Sequence, residues 1–344
     1  GWKRRMNRAQ RELKRRILKE WREEEKNRVK TPEEIEEERR VRRKENVMLA
    51  IVLIGLAVYA FLFHGRNEIR LPQEGEMAMY SINVGQADAT FFIFPDGSNL
   101  LVDAGEVADG AKVTGLLKKL GVGKVDAIMV SHPHIDHIGG LIPVLERYGA
   151  DVIYMPDHES ETITYKRVMK TAEETGTPIR YLYDGDSFDG GSYKITILSP
   201  ENKKYTDDNQ YSVVMKIDYK DVSFLMMGDA DKMVERELIE KYGDGLECTV
   251  LKVAHHGSDT ATTEEFLDAA SPSVAVVSAK AGPSLNIPAD SVVSRIAKRE
   301  IRVLRTSRNG NIEILTDGEA LDIRTSGTTR ENKISETVDK YFDM

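Results

Sequence analysis

The stretch SHPHIDHIGG, residues 131–140, directly follows the apolar run KVDAIMV and sets three histidines and an aspartate within six positions. Imidazole and carboxylate groups are ligands for zinc and similar divalent ions, at distances of about 2.0 to 2.2 Å. A loop leaving a strand end aims alternate side chains at one point and the next pair at another. His132 with His134, and Asp136 with His137, therefore suit two ions. Gly139 and Gly140 are expected to let the backbone turn tightly behind them. Such a cluster needs further ligands, and other strand ends offer them: Asp229 closes the run VSFLMMGD, and His255 and His256 close CTVLKVAHH. The chain must fold so that several strand ends meet.

Charge divides the sequence. Residues 1–46 carry 18 Lys/Arg against 11 Asp/Glu, net +7; the whole chain is −8, so the remainder is −15. A basic arm is thus joined to an acidic body, and at 344 residues with 40% hydrophobic content the body is long enough for a large core. The one cysteine, Cys248, excludes an intramolecular disulfide framework and reads as a free buried thiol.

Between arm and body lies VMLAIVLIGLAVYAFLF, Val47–Phe63, seventeen residues without a charge. That is the short end of what crosses a bilayer, and a run apolar all round does not suit a core helix. A cleavable signal peptide is not expected, because the charged segment before the run is far too long for an n-region. The expectation is a single-pass anchor over 47–64, with a membrane contact through residues 47–63. Because RRVRRKENV precedes the run, the arm is placed in the cytoplasm and the body outside.

The arm, 1–46, reads as two charged helices, the second opened by Thr31, Pro32 and Glu34 as a capping signal. Met6, Leu13, Ile17, Leu18 and Trp21 do not sustain heptads, so a coiled coil is not expected. A solvated charged face is preferred over binding to anionic lipid or nucleic acid, and the sequence leaves the identity of any protein partner of the arm open. A linker, 65–76, leads to the body, 77–326, and a polar tail follows, 327–344.

In the body, MAMYSINV, ATFFIF and NLLVDAG read as hairpin strands. Later runs, SYKITILS, YSVVMKIDY, VSFLMMGD, CTVLKVAHH and SVAVVSA, alternate with helical stretches such as KMVERELIEKYG and TEEFLDAA. This order predicts an α/β sandwich of two packed mixed sheets with helices outside, in preference to a doubly wound sheet.

HPHIDH, followed by a strand-terminal GD and a later HHG, resembles the metallo-β-lactamase fold superfamily and its motif H-x-H-x-D-H. The run INVGQADATFF, LLVDAG, SHPHIDHIGG, LSP, DDNQYSVVMKI, FLMMGDAD and LKVAHHGSDTATTEEFL is similar to the hydrolase domain of ComEC-type DNA-uptake proteins, and more distantly to phosphorylcholine esterases. The resemblance implies the αββα sandwich and two divalent ions, zinc first and manganese as the alternative. It places His132 and His134 on the first ion, Asp136 and His137 on the second, and Asp229 between them. His256 is the expected last ligand, with His255 in reserve. Asp136 and His255 are the expected catalytic groups, one orienting the attacking water and the other protonating the leaving oxygen. Asp88 and Asp103 are candidates to hydrogen-bond the ligand imidazoles, with ordinary turn carboxylates as the equal alternative. Asn209 and Ser212 are candidates to line the substrate cleft.

The sequence departs from these relatives in two places. Asn209 stands where many superfamily members have another ligand histidine, as it does in the ComEC-like branch, and His158 is the other histidine in that interval. Ile287 stands where an N-x-Y-G-H-P element would place a histidine. The expected activity is phosphoester hydrolysis on DNA or another phosphodiester polymer. The body's acidity narrows the lead of DNA, although Lys298–Arg308 offers a basic rim. A cell-wall phosphorylcholine-type phosphodiesterase, and a metal-binding but inactive docking ectodomain, are the alternatives.

Overall fold

The computed structural model describes residues 2–28, 31–64, 69–280 and 287–327. It divides into two units, Gly1–Glu68 and Ile69–Met344. In the first, α1 spans Trp2–Asn27 and α2 spans Pro32–His64. The Thr31 signal is realised as a reciprocal cap: Glu34 N donates to Thr31 Oγ1 (3.3 Å) and Thr31 N to Glu34 Oε2 (2.9 Å). The second helix continues from its charged half into the apolar run. Among the described residues, no helix is long and apolar enough to cross a membrane. Of the run Val47–Phe63, the side chains at 57 and 59–63 lie outside that description.

In the second unit the strands in chain order are β1 (Met77–Ser81), β2 (Thr90–Ile93), β3 (Asn99–Val102), β4 (Val125–Met129), β5 (Ala150–Pro156), β6 (Ile179–Leu182), β7 (Ser187–Asp189), β8 (Tyr193–Ser199), β9 (Val214–Tyr219), β10 (Val222–Met226), β11 (Val250–Lys252), β12 (Val274–Val277), β13 (Arg302–Arg305), β14 (Ile312–Thr316) and β15 (Leu321–Thr325). The helices are α3 (Gly110–Lys119), α4 (Ile135–Ile138), α5 (Leu141–Tyr148), α6 (Ile163–Glu174), α7 (Lys232–Tyr242), α8 (Glu264–Ala270), α9 (Asp290–Ala297) and α10 (Thr306–Asn309).

One sheet has the order β15-β14-β1-β2-β3-β4-β5-β6 and the other β13-β12-β11-β10-β9-β8-β7. Both are mixed: β1 to β3 are antiparallel and β3 to β6 parallel, while β8 to β10 are antiparallel and β10 to β13 parallel. The expected two-sheet sandwich is thus present. Met79, Phe92, Met215, Phe224 and Val250 meet between the sheets. Val113, Leu117 and Val144 pack α3 and α5 on the outer face of the first sheet, and Val234, Phe266 and Val292 pack α7 to α9 outside the second. Strands covered on both faces lose the apolar-polar alternation, which is why β1 and β12 are buried at every position.

The segment ahead of β1 is bound to the body from Ile69 onward. Arg70 pairs with Glu76 (2.8 Å), and Arg70 N donates to Glu313 Oε2 (3.1 Å). Residues 65–68 of the expected linker, and 328–344 of the expected tail, lie outside the described residues.

Candidate metal centre

The parallel strands deliver the candidate ligands from their C-terminal ends. After β4 the chain enters Ser131 and His132, then caps and forms α4, which carries Asp136 and His137. After β10 comes Asp229, and after β11 the pair His255 and His256. Both of these histidines have positive φ, 48° and 55°, a strained arrangement for non-glycine residues that turns the two rings apart.

Two groups of ligand atoms converge. Asp136, His137, Asp229 and His256 have one ligand atom each within 4.8 Å of one another, and so do His132, His134 and Asp229. Asp229 belongs to both. His137 Nε2 is 3.4 Å from Asp229 Oδ1, His256 Nε2 is 3.3 Å from Asp136 Oδ2, and His132 Nε2 is 3.8 Å from Asp229 Oδ2. His132 Nε2 and His134 Nδ1 are 2.9 Å apart. His255 lies outside both groups. Its Nε2 is 3.7 Å from Asp229 Oδ2, its Nδ1 is within 3.1 Å of Thr260 Oγ1, and it is partly exposed.

A divalent cation fits this donor set. His137 Nε2, His256 Nε2 and Asp229 Oδ1 are buried without a hydrogen-bond partner, a costly condition that a cation would relieve. Burial and the nearby His137 hold His132 well below the ordinary histidine pKa, so it presents a neutral, ligating ring. Burial also disfavours charge on His137, yet Asp229 and Asp103 outweigh it and hold its pKa well above the ordinary value. The carboxylates that retain a proton there would equally attract a metal ion. Asp136, despite partial burial, is drawn down to about 2 by the His256 ring, whose Nε2 stands 3.3 Å from its Oδ2, and by the charge of His137, so it remains a carboxylate.

Around the ligands, Asp103 accepts from the Ser131 amide (2.8 Å) and hydroxyl (2.7 Å), and its Oδ2 is 2.8 Å from His137 Nδ1. This fixes which ring nitrogen of His137 faces the centre. Asp88 corrects the sequence reading. It makes no hydrogen bond to a ligand imidazole: His256 Nδ1 is 3.7 Å away and lies instead 3.2 Å from the Ser278 carbonyl. The partner of Asp88 is the buried ammonium of Lys252, at 2.7 Å. Ser212 is fully buried and its hydroxyl accepts from Asp229 N (3.1 Å), so it props the aspartate from behind and does not line a cleft. Asn209 lies within a turn of 3-10 helix, Asp208–Tyr211, and its Oδ1 is buried without a partner.

His158 joins neither ligand group. It stacks on Tyr211 (3.8 Å between centroids), and its Nε2 is 2.8 Å from Asp208 Oδ1. Asp208 Oδ2 in turn is 3.4 Å from His134 Nε2, the ring nitrogen that does not face His132. Sequence reasoning passed over Ser131, Asp208 and Lys252. The signal for Lys252 was a lysine inside the apolar run TVLKVA, which a covered strand has no other way to place. Gly139 and Gly140 are also corrected. Both have ordinary helical φ, −59° and −76°, so no special turn requires them. Close approach does: a Cβ on Gly140 would stand 2.0 Å from Ala104 O, and one on Gly139 2.4 Å from Val107 N. Ala289 N donates to Gly257 O (2.8 Å), so the segment carrying Ile287 passes the His255–His256 turn. Arg299, in the expected basic rim, is committed to Asp268 (2.7 Å).

Fold and ligand geometry together define a metallo-hydrolase type of centre, and a family model agrees. Residues 82–281 match the Metallo-beta-lactamase superfamily, to which the chain belongs. Among curated proteins it is 29% identical over 260 residues to ComE operon protein 3 of Bacillus subtilis, covering 71% of this chain and 33% of that protein. It is 30% identical over 243 residues to competence protein ComA of Neisseria gonorrhoeae, covering 70% and 32%. The chain thus spans about a third of the length of these relatives. A shorter match, 36% over 70 residues, joins it to exodeoxyribonuclease WalJ of Streptococcus pneumoniae, covering 20% of this chain and 25% of that protein.

Proposed function

We propose that the body is a metal-dependent phosphodiesterase acting on DNA. The observation that carries this reading is the pair of ligand groups sharing Asp229, with His137 Nε2, His256 Nε2 and Asp229 Oδ1 buried and unpartnered. His132, His134 and Asp229 would hold one divalent cation, and Asp136, His137, Asp229 and His256 the other. Bound there, such ions supply Lewis-acid polarisation of a phosphoryl group and a water of lowered pKa. The protein's own groups do the rest. Asp136, ionised and partly exposed, orients the attacking water by accepting its hydrogen bond; a carboxylate drawn so low is an orienting group more than a base. His255 stands at the partly exposed edge, its Nδ1 steadied by Thr260, with Nε2 free to pass a proton to the leaving oxygen. Ser131 and Asp103 keep His137 in register.

DNA as substrate is supported by the names of the relatives, two competence proteins and an exodeoxyribonuclease. The fuller reading adds an anchor through Val47–Phe63, with the body outside the cytoplasm. Its support is a continuous helix whose described apolar residues, Val47 to Leu56 and Val58, are exposed. Protease added to intact cells should digest the body and spare the arm; the opposite pattern overturns that orientation. For the activity, the full chain loaded with zinc or manganese is tested on linear and plasmid DNA, bis(p-nitrophenyl) phosphate and p-nitrophenyl phosphorylcholine. Cleavage of DNA, lost in His132→Ala, supports the proposal. Cleavage of the phosphorylcholine ester alone moves the substrate to a wall polymer. No cleavage by metal-loaded protein leaves a docking module.

A further inference from the structure

The described part of α1 presents an apolar stripe: Leu13, Ile17 and Trp21 are 59%, 55% and 58% exposed, and Leu18 flanks them. They recur at every fourth residue, one face of a helix, and in the sequence Trp2, Met6 and Ala9 continue towards the N-terminus at intervals of three or four. From Leu13 to Trp21 the stripe runs roughly 12 Å. Positions 4, 8, 11, 15 and 22, all arginine, fall on the opposite face, and the helix holds eleven Lys/Arg against five Asp/Glu. Glu20, at the edge of the stripe, is paired with Arg16 (3.1 Å).

This combination selects one kind of partner. Nucleic acid would take the arginines but gives Ile17 and Trp21 no apolar surface. A second copy would cover the stripe but bring two strongly cationic helices together. An anionic bilayer surface accepts both faces: the stripe enters the boundary between headgroups and acyl chains while guanidinium groups meet lipid phosphates. We propose that α1 is an interfacial helix that lies on an anionic membrane surface, Leu13, Ile17 and Trp21 inward. The inference stands on α1 alone and does not require α2 to span the bilayer.

The chain's two tryptophans, Trp2 and Trp21, are both in α1, so its fluorescence reports on this helix. The full chain is mixed with vesicles of phosphatidylcholine, with or without phosphatidylglycerol. With the anionic lipid, emission should shift to the blue and be quenched by brominated acyl chains. Leu13→Glu with Ile17→Glu, a change that keeps helix formers, should weaken the lipid dependence of this signal at least tenfold and leave hydrolysis by the body unchanged. Arg11→Glu with Arg15→Glu should remove the preference for phosphatidylglycerol. Unchanged emission with anionic vesicles overturns the proposal. So does a blue shift produced by DNA without lipid, or by rising protein concentration alone. Failure of the anchor reads differently: the chain would be stripped from vesicles by high salt yet show the shift at low salt, where screening is weak.

Discussion

Replacing Lys252 by methionine removes a charge from a buried strand of the body while keeping most of the side chain's volume. Lys252 Nζ and Asp88 Oδ2 are 2.7 Å apart, with side-chain exposures of 2% and 6%. At an effective dielectric near 20 their gross attraction is about 6 kcal/mol, most of it offset by the cost of taking both charges out of water. Removing one partner forfeits the attraction and leaves the other charge buried, which costs about 3 to 5 kcal/mol. Asp88 would then sit within 4.8 Å of Asp103 without its cation. For a unit of this size the melting temperature should fall by on the order of 10 °C. The sign of the pH dependence is fixed as well. Burial raises Asp88, and Lys252 outweighs that and holds it below the ordinary carboxylate value, so in the wild type its contribution is present above the unfolded pKa and lost as pH falls through the folded one. In Lys252→Met, burial prevails and raises Asp88, so the deficit should shrink as acid protonates it. Thermal and urea unfolding of the full chain, at neutral and at mildly acid pH, measure both effects. Lys252→Met with Asp88→Asn should recover most of the loss. A single variant within about 1 kcal/mol of wild type, or a double variant no better than the single, would refute the pairing argument.

Asp103→Asn should lower metal affinity by about 10- to 100-fold, read by chelator competition, because His137 loses the carboxylate that fixes its ring. Gly140→Ala should deprive the chain of both metal and activity, since its Cβ would meet Ala104 O at 2.0 Å and displace the helix carrying Asp136 and His137; unaltered metal content would show that the loop yields cheaply. Cys248, buried and pushed up to about 12, should resist maleimide at pH 8 until the chain is unfolded. Its protonated thiol contributes stability that is complete below the unfolded value near 9 and declines as pH rises above it, so stability should fall in that range less steeply in Cys248→Ala.

What could be read from sequence was what is encoded locally. HPHIDH carries four candidate ligands in six residues, and apolar runs as dense as KVDAIMV and SFLMM mark covered strands without any tertiary knowledge. Pairings across long separations were not readable. β14 returns to β1 with Met77 opposite Thr316, and nothing in either segment names the other. The supports of the centre were hidden for the same reason. Lys252 and Asp88 meet over 164 positions, and Ser212 reaches Asp229 only because β9 and β10 pair. The glycines were misread because tight packing against Ala104 and Val107, not backbone freedom, requires them.

Metal counting on the full chain, paired with hydrolysis of bis(p-nitrophenyl) phosphate, bears most directly on the shared-aspartate centre. Two divalent ions per wild-type chain are expected. His256→Ala should lose one and His132→Ala the other, while Asp229→Asn should weaken both and abolish hydrolysis with the fold intact by circular dichroism. Wild-type protein that binds no metal, or an Asp229→Asn variant that keeps two ions and full activity, would contradict it.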